Sequence, residues 1–270
     1  MRKIQTLTLI VAATAALTAC DPEAISEGIA ALTASETPKE DIKPGDIDKM
    51  AKEDGGMKTF VTETNKVDPA VAANVAADKL VLTDFLAKDI WRLVNRSLDG
   101  MNAVIFQEEG PFSSCTLDDH ENDRYTIDAC SGVVKDKNGK DMTLHFEADV
   151  VWTDTATGGD KTEGELYFGF ERGDDFYVIG IQDLLWLEEE GLNSSWDERI
   201  SGTVLYVSLD RGDFYEGYAT LTTPVALSSP FDAYDREFNF GNVTLSDVDG
   251  NSFDLTYDGG TNNPVITIGN

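Results

Sequence analysis

Residues 144–152 read LHFEADVVW, and this stretch decides the fold class of the chain. Apolar residues occupy every second position, as on a β-strand with one buried face: Leu144, Phe146, Ala148, Val150 and Trp152. The residues between them, His145 included, are expected to face solvent. The stretch therefore predicts an amphipathic strand.

Similar alternation recurs downstream. It predicts further strands at 164–171, 176–182, 203–209, 214–222, 236–246, 252–257 and 264–268. Residues 183–190 have a short, amphipathic, helical-looking pattern instead. Glycine-containing pairs such as Asn138-Gly139 punctuate the runs and are typical of hairpin turns. Because no helix of βαβ length fits between the runs, the pattern predicts an antiparallel sheet of consecutive hairpins.

The residues before this sheet predict one long amphipathic helix. Asp68 and Pro69 suit an N-cap and a first helical turn, and Gly100 suits a stop. Apolar residues between them keep helical spacing: Leu82, Phe85, Leu86, Ile90, Leu93, Val94 and Leu98. We expect a mainly β fold, a bent or barrel-like antiparallel sheet with a long helix, 69–98, packed N-terminal to it.

The chain contains one internal repeat. Residues 166–174, LYFGFERGD, match residues 205–213, LYVSLDRGD. Two copies are too few for a solenoid or a propeller. The repeat predicts two similar hairpins that turn at Arg-Gly-Asp, since Gly and Asp are turn residues.

The first twenty residues have the organisation of an export signal. Arg2 and Lys3 precede an uncharged apolar run, and small residues precede Cys20. The ending LTAC at 17–20 resembles the lipobox of bacterial lipoproteins. That resemblance implies removal of residues 1–19, acylation of Cys20 with palmitate-type chains, and stable membrane anchoring in the cell envelope.

The sequence indicates less strongly whether this anchor lies in the inner or the outer membrane. Asp21, directly after the cysteine, resembles the signal that retains enteric lipoproteins in the inner membrane, facing the periplasm. The outer membrane is the alternative location. The expected organisation is a signal peptide at 1–19, a lipidated N-terminus and flexible tether at 20–67, an amphipathic helical segment at 68–110 and an acidic β-domain at 111–270.

Cysteine usage agrees with export. Lipidation of Cys20 leaves Cys115 and Cys130, and the segment between them has a polar middle flanked by strand-like residues. A hairpin there would place the two cysteines opposite each other. The spacing predicts a disulfide in an oxidising compartment rather than a redox-active C-x-x-C dithiol.

The charge of the chain excludes some classes of partner. Lys and Arg number 21 against 50 Asp and Glu, and the net charge of −29 is incompatible with nucleic-acid binding. Residues 111–270 hold 9 of the basic and 32 of the acidic residues, so a cationic partner or a divalent ion would be attracted there. Only two histidines are present, which excludes a His-rich metal site.

One loop has spacing like that of a calcium site. Oxygen-bearing side chains alternate at Asp247, Asp249, Asn251 and Asp254. The segment departs from the EF-hand pattern because Ser252 stands at its glycine position. An Asp-Gly turn between two strands is the alternative explanation.

No signature of catalysis is present in the sequence. A nucleophile elbow, a phosphate-binding glycine loop, a zinc motif and a cofactor fingerprint are all missing, so we expect a non-enzymatic protein without a cofactor other than calcium. Three hypotheses remain: an envelope module that binds or organises another protein, a carrier of an apolar ligand or lipid in a curved sheet, and a calcium-dependent surface recognition protein. In the carrier, four aromatic residues could line the cavity: Phe168, Phe170, Phe238 and Phe240.

Overall fold

The computed structural model describes residues 45–50, 56–65, 80, 82–105, 110–192, 194–230, 237–247, 250–259 and 264–269. Within these ranges the helices are α1 (Asp46–Met50), α2 (Gly56–Asn65) and α3 (Asp84–Ile105). The strands are β1 (Asp118–Asp119), β2 (Arg124–Lys135), β3 (Asp141–Asp154), β4 (Asp160–Arg172), β5 (Asp175–Glu190), β6 (Ser195–Asp210), β7 (Asp213–Pro230), β8 (Phe240–Ser246), β9 (Ser252–Asp258) and β10 (Val265–Gly269). The predicted lipidation residue, Cys20, lies outside the described residues.

The described strands form one antiparallel sheet. Its ten strands lie in chain order from β1 to β10, and each pairs only with its neighbours in sequence. The predicted mainly β fold with an antiparallel sheet is therefore confirmed. The sheet is open, with β1 and β10 at opposite edges, so the barrel-like form of the prediction is wrong for the part of the chain described.

The predicted helical-looking break at 183–190 is part of strand β5. The register is irregular between Gln182 and Leu185, where Asp183 has a φ of 52°. An irregularity of this kind shifts the alternation of side chains along a strand. Leu184 and Trp186 are buried beyond it, so the strand resumes with its apolar side inward. The shifted period explains the helical appearance of the sequence.

Helix α3 differs from the single helix predicted at 69–98. It begins after Thr83, whose hydroxyl accepts a hydrogen bond from the Leu86 amide at 3.3 Å as an N-cap. It also continues through Gly100 to Ile105. A Cβ atom on Gly100 would make ordinary contacts with the rings of Phe112, at 3.4 Å, and Phe146, at 3.6 Å, so this glycine lies within the helix and is not its stop. The predicted N-cap at Asp68-Pro69 lies outside the described residues.

Helix α3 covers one face of the sheet through its apolar side. Its buried residues join the strands in a single hydrophobic core: Leu86, Ala87, Ile90, Trp91, Leu93, Val94, Leu98, Met101 and Val104. Two hydrogen bonds accompany this packing. Tyr206 donates to Asp89 Oδ2 at 2.6 Å, and Trp91 Nε1 donates to the Tyr257 hydroxyl at 2.7 Å. Both donors are buried, so these bonds fix how α3 lies on the sheet.

Helices α1 and α2 occupy part of the predicted tether at 20–67, which is therefore not a tether throughout. Four of their side chains are buried: Ile47, Met57, Phe60 and Val61. The Phe60 ring meets Phe176 edge to face, with centroids 6.2 Å apart. Apolar residues spaced as in Met57, Phe60 and Val61 lie on one side of a helix, and here that side packs against the sheet.

His145 shows that α2 and α3 cover opposite faces. Its side chain is 0% exposed, so the prediction that it faces solvent is wrong. His145 pairs with Gly169 on β4, so side chains at these two positions point to the same face of the sheet. A Cβ atom added to Gly169 would lie 3.5 Å from Met57 Sδ, so α2 covers this face. Its neighbour Phe146 belongs to the core under α3. The strand alternates as predicted, but both of its faces are covered here.

Two carboxylates of the sheet bind the starts of α1 and α2. Glu147 accepts hydrogen bonds from the amides of Met57, at 2.7 Å, and Lys58, at 3.4 Å. Glu171 accepts one from the Gly45 amide at 2.7 Å. The first amides of a helix lack partners within the helix, so these carboxylates satisfy them. Burial raises the pKa of both groups, and the amide hydrogen bonds only partly offset that rise.

We expect the free energy of unfolding to increase as the pH falls from neutrality toward the ordinary carboxyl range. Burial raises the pKa of Asp89, Glu147 and Glu171, so the folded chain binds protons at pH values where the unfolded chain does not. Their contribution is fully present below the unfolded pKa and is lost as the pH rises through the folded pKa. Arg124 lowers the pKa of Asp149, whose contribution is instead lost in acid.

Urea unfolding at a series of pH values tests this profile. We expect the free energy of unfolding to be highest on the acid side of neutrality. In Glu147→Gln it should increase less on acidification than in the wild-type chain, because glutamine keeps an acceptor oxygen without the charge. Glu163→Gln, an exposed carboxylate on the same sheet, is the control. A steady loss of stability from pH 7 downward would contradict the prediction.

Both copies of the internal repeat form hairpins, as predicted, with turns at Gly173 and Gly212. The two copies are not structural duplicates, however. The repeat matches Tyr206 to Tyr167 in sequence, but in the cross-strand rows of the sheet Tyr206 lies level with Phe168. A shift of one residue reverses the face to which a side chain points. Tyr206 therefore packs under α3, whereas Tyr167 lies on the other face.

The predicted disulfide is confirmed. Cys115 and Cys130 are bonded, with their Cα atoms 5.4 Å apart. Strands β1 and β2 form the hairpin that the polar segment between the cysteines indicated. No helix in the described part of the chain is long and apolar enough to cross a membrane.

Candidate functional site

The predicted calcium loop is only partly described. Asp247 Oδ1 and Oδ2 accept hydrogen bonds from the backbone amide and the side-chain amide of Asn251, at 3.0 and 2.8 Å. Asp254 accepts from the Thr244 hydroxyl on the neighbouring strand at 2.5 Å, and Asp249 lies outside the described residues. Over the described ranges, no three His, Cys, Asp or Glu side chains are grouped to hold a metal ion. Calcium binding stays a prediction.

The four aromatic residues of the carrier hypothesis do not share one cavity. Phe168 is buried in the core, and the Phe238 ring lies 6.2 Å from that of Trp91. Phe170 stacks on Tyr177, and Phe240 is exposed. Helix α3 packs on the face of the sheet to which Phe168 and Phe238 belong.

A different group of side chains gathers where α3 ends over strands β3 to β6. The first cross-strand row beneath the end of α3 consists of Trp152, Thr162, Trp186 and Ile200. Trp186 and Ile200 belong to the core under α3, which places this row on the α3 face. Two indole rings therefore lie on this face with only a threonine between them in the row.

The next row toward the strand ends consists of carboxylates. Successive pairing across β3 to β6 places four of them side by side: Asp154, Asp160, Glu188 and Glu198. Each lies two residues from a member of the first row, so the carboxylates share the α3 face. Glu198 is 2% exposed, and Trp186 Nε1 donates to its Oε2 at 3.0 Å. The row changes from an exposed carboxylate at Asp154 to a buried one at Glu198.

A third row completes the group at the β5–β6 hairpin. Glu190 pairs with Trp196, whose side chain is 37% exposed. Leu192, at the tip of the hairpin, is 85% exposed. We call the three rows together the acidic-aromatic end: Trp152, Asp154, Asp160, Thr162, Trp186, Glu188, Glu190, Trp196, Glu198 and Ile200. It contains three of the four tryptophans of the chain.

A cleft opens between the acidic-aromatic end and the last turn of α3. The cleft is small, with a cavity volume of about 40 Å³, and it is partly open to solvent. The residues that line it are Met101, Asn102, Ile105, Trp152, Asp160, Thr162, Trp186 and Glu188. The cleft thus combines an apolar wall from α3 and the indoles with a floor that bears carboxylates.

The electrostatics of this cleft favour a cation. The last turn of α3 contains no basic residue, and the C-terminal end of a helix carries partial negative charge. The nearest basic residues on β4 and β6, Lys161 and Arg199, alternate with the carboxylate row and so point to the other face. Lys161 is also paired with Glu163 at 2.6 Å. On the described strands, neither Lys161 nor Arg199 therefore lies in the carboxylate row.

Sequence reasoning missed this site because 183–190 looked helical. The only local signal was the composition of two segments, LWLEEE at 185–190 and WDE at 196–198. Both are rich in tryptophan and carboxylates and flank one short turn. Recognising them as a hairpin would have paired their acidic residues.

Comparison with known proteins adds no assignment to this geometry. The chain matches no family model, no curated protein and no solved structure.

Proposed function

We propose that this chain is an exported, lipid-anchored binding module of the bacterial envelope, and that its acidic-aromatic end holds a cationic segment of another protein. It acts by binding rather than by catalysis. The observation that carries the proposal is the row of four carboxylates between two rows that contain tryptophan, beside the open cleft at the end of α3.

Like charges in directly opposite cross-strand positions destabilise a sheet. A Lys or Arg side chain placed between Asp160 and Glu188 relieves that repulsion, which gives a cationic partner more binding energy than a neutral one. Indole faces attract the same cations, and exposed tryptophan is enriched among residues that dominate binding energy. The site therefore suits a segment with basic side chains and apolar neighbours.

The proposed location rests on the N-terminal sequence and on the disulfide. The lipobox-like LTAC at 17–20 makes Cys20 the acylated residue. The Cys115–Cys130 bond supports an oxidising compartment. Metabolic labelling with a palmitate analogue tests the anchor: the wild-type chain should incorporate label into the membrane fraction, and Cys20→Ser should not. Label retained in Cys20→Ser would overturn the proposed anchor.

Binding of a labelled basic peptide tests the proposed partner class. The probe is a 12-residue peptide of alternating Lys and Leu, and its control replaces each Lys by Gln. We expect Trp196→Ala to weaken binding of the basic peptide about tenfold, the size of one exposed aromatic contact. Trp196 is suitable because it is partly exposed and lies outside the buried core.

A charge-matched pair separates local from general electrostatics. Glu188→Gln and Asp174→Asn remove the same charge, but Asp174 lies in the β4–β5 turn at the opposite end of the strands. We expect Glu188→Gln to weaken binding and Asp174→Asn to leave it nearly unchanged, with affinity falling as salt rises. Equal effects of the two variants, or equal binding of the Gln peptide, would overturn the proposal.

A further inference from the structure

Strand β10 leaves one edge of the sheet without a partner among the described strands. It pairs with β9 on one side only, from Val265–Thr256 to Gly269–Ser252. An edge strand directs unpaired N–H and C=O groups outward, where they can pair with another extended chain. Ile268 is 70% exposed on this strand.

The two edges of the sheet differ in their protection. At the other edge, β1 contributes only two residues, both acidic. The turn at 111–114 lies against β2, since a Cβ atom on Gly132 would lie 2.0 Å from the Pro111 carbonyl oxygen. Strand β10, VITIG, has no charge, no proline and no register irregularity within it. Short charged strands and covering loops are the usual protection of a sheet edge, and β10 has neither among the described residues.

The charge distribution indicates which partner can use this edge. Residues 259–270 contain no charged side chain, in a chain of net charge −29. Two copies of so acidic a protein repel each other through most of their surface, and an uncharged strand is where they can approach closely. An identical strand also satisfies both edges at once in a two-fold arrangement.

We infer that two copies of this chain associate through antiparallel pairing of β10 with β10, which joins their sheets across a two-fold axis. Thr267, the middle residue of the strand, then faces Thr267 of the second copy. The association is independent of the acidic-aromatic end, which involves β3 to β6 and lies on other strands. The two associations also respond to salt in opposite ways. Salt screens the repulsion between two acidic copies and so favours the dimer, but it weakens the binding of a cationic partner to the acidic-aromatic end.

Cysteine cross-linking of the full chain in its own cells tests this inference. Thr267→Cys should give a disulfide-linked band at twice the mass of the single-chain band on the same non-reducing gel. Val265→Cys, made as a separate variant, tests a register shifted along the strand. Ser131→Cys, exposed on β2 at the other edge, should give none. The native Cys115–Cys130 bond reports that each variant has folded.

A second pair of variants tests whether strand pairing causes the cross-link. Ile268→Lys in the Thr267→Cys chain should reduce the dimer band at least tenfold, because it places a charge on the paired strand. Val133→Lys, a similarly exposed position on β2, should leave the band unchanged. Failure of both β10 cysteines to give a dimer in folded chains, or a cross-linked band of another mass, would overturn the inference.

Discussion

Gly164→Ala is expected to lower the free energy of unfolding by about 3 kcal/mol or more, one of the largest losses available to a single methyl group in this chain. Gly164 has a φ of 141°, where residues with a Cβ atom are strained. The added Cβ would lie 2.2 Å from the Asp149 carbonyl oxygen and 2.9 Å from the Val150 Cα atom. Both are backbone atoms of the adjacent strand, which cannot move without breaking pairing.

Gly139→Ala is the matched control for this prediction. Gly139 also has a positive φ, 76°, but nothing lies within 4 Å of its Cβ position in the β2–β3 turn. We expect Gly139→Ala to cost about 1 kcal/mol, which is backbone strain alone. Urea unfolding followed by tryptophan fluorescence measures both variants. Similar losses would show that the close approach of β4 to β3 at Gly164 contributes nothing.

Removal of the disulfide by Cys115→Ser with Cys130→Ser is expected to lower the free energy of unfolding by about 3 kcal/mol. This is the entropic stabilisation expected from a cross-link that closes a loop of this length in the unfolded chain. The bond closes a loop with a sequence separation of 15. It also holds the turn that contains Phe112 against the sheet, where the Phe112 and Phe146 rings have centroids 5.8 Å apart. Cys130 is buried, so a serine hydroxyl there adds a desolvation cost.

Thermal unfolding with and without reductant checks this result. We expect reduced wild-type protein to unfold at a lower temperature than the oxidised form, and the double serine variant to be insensitive to reductant. Ser113→Ala, in the same turn but exposed, should leave the unfolding temperature nearly unchanged. A double variant as stable as the oxidised protein would contradict the prediction.

The antiparallel sheet could be predicted because its information is local. Alternation at 144–152 and glycine turns specify a strand and a hairpin without reference to distant residues. The disulfide followed from the same hairpin logic. The break predicted at 183–190 failed because the irregularity at Asp183 is a change of register between strands, and a single strand's sequence does not display it.

The covered faces of the sheet could not be predicted in the same way. His145 looked exposed because α2 lay in a segment with the composition of a tether. The three buried apolar residues of that helix are too few to stand out, and their partner Phe176 lies far away in sequence. Burial of His145 depends on that long-range contact rather than on the strand that contains it.

The candidate site depends still more on long-range register. Asp154, Asp160, Glu188 and Glu198 become neighbours only when four strands are aligned, with irregularities between some of them. In an acidic chain, carboxylates at such separations carry no local signal. Composition predicted that the domain attracts a cationic partner or a divalent ion, but it could not locate a site for either.

The chain-order arrangement of the sheet has a consequence for how the protein acquires its structure. Each strand pairs with its sequence neighbours, so the sheet needs only short loop closures and can form one hairpin after another as the chain emerges. The helices emerge first but depend on strands made much later: Trp91 of α3 bonds Tyr257 of β9. We expect α3 to dock last in folding, so that its indole reports the final, rate-limiting step.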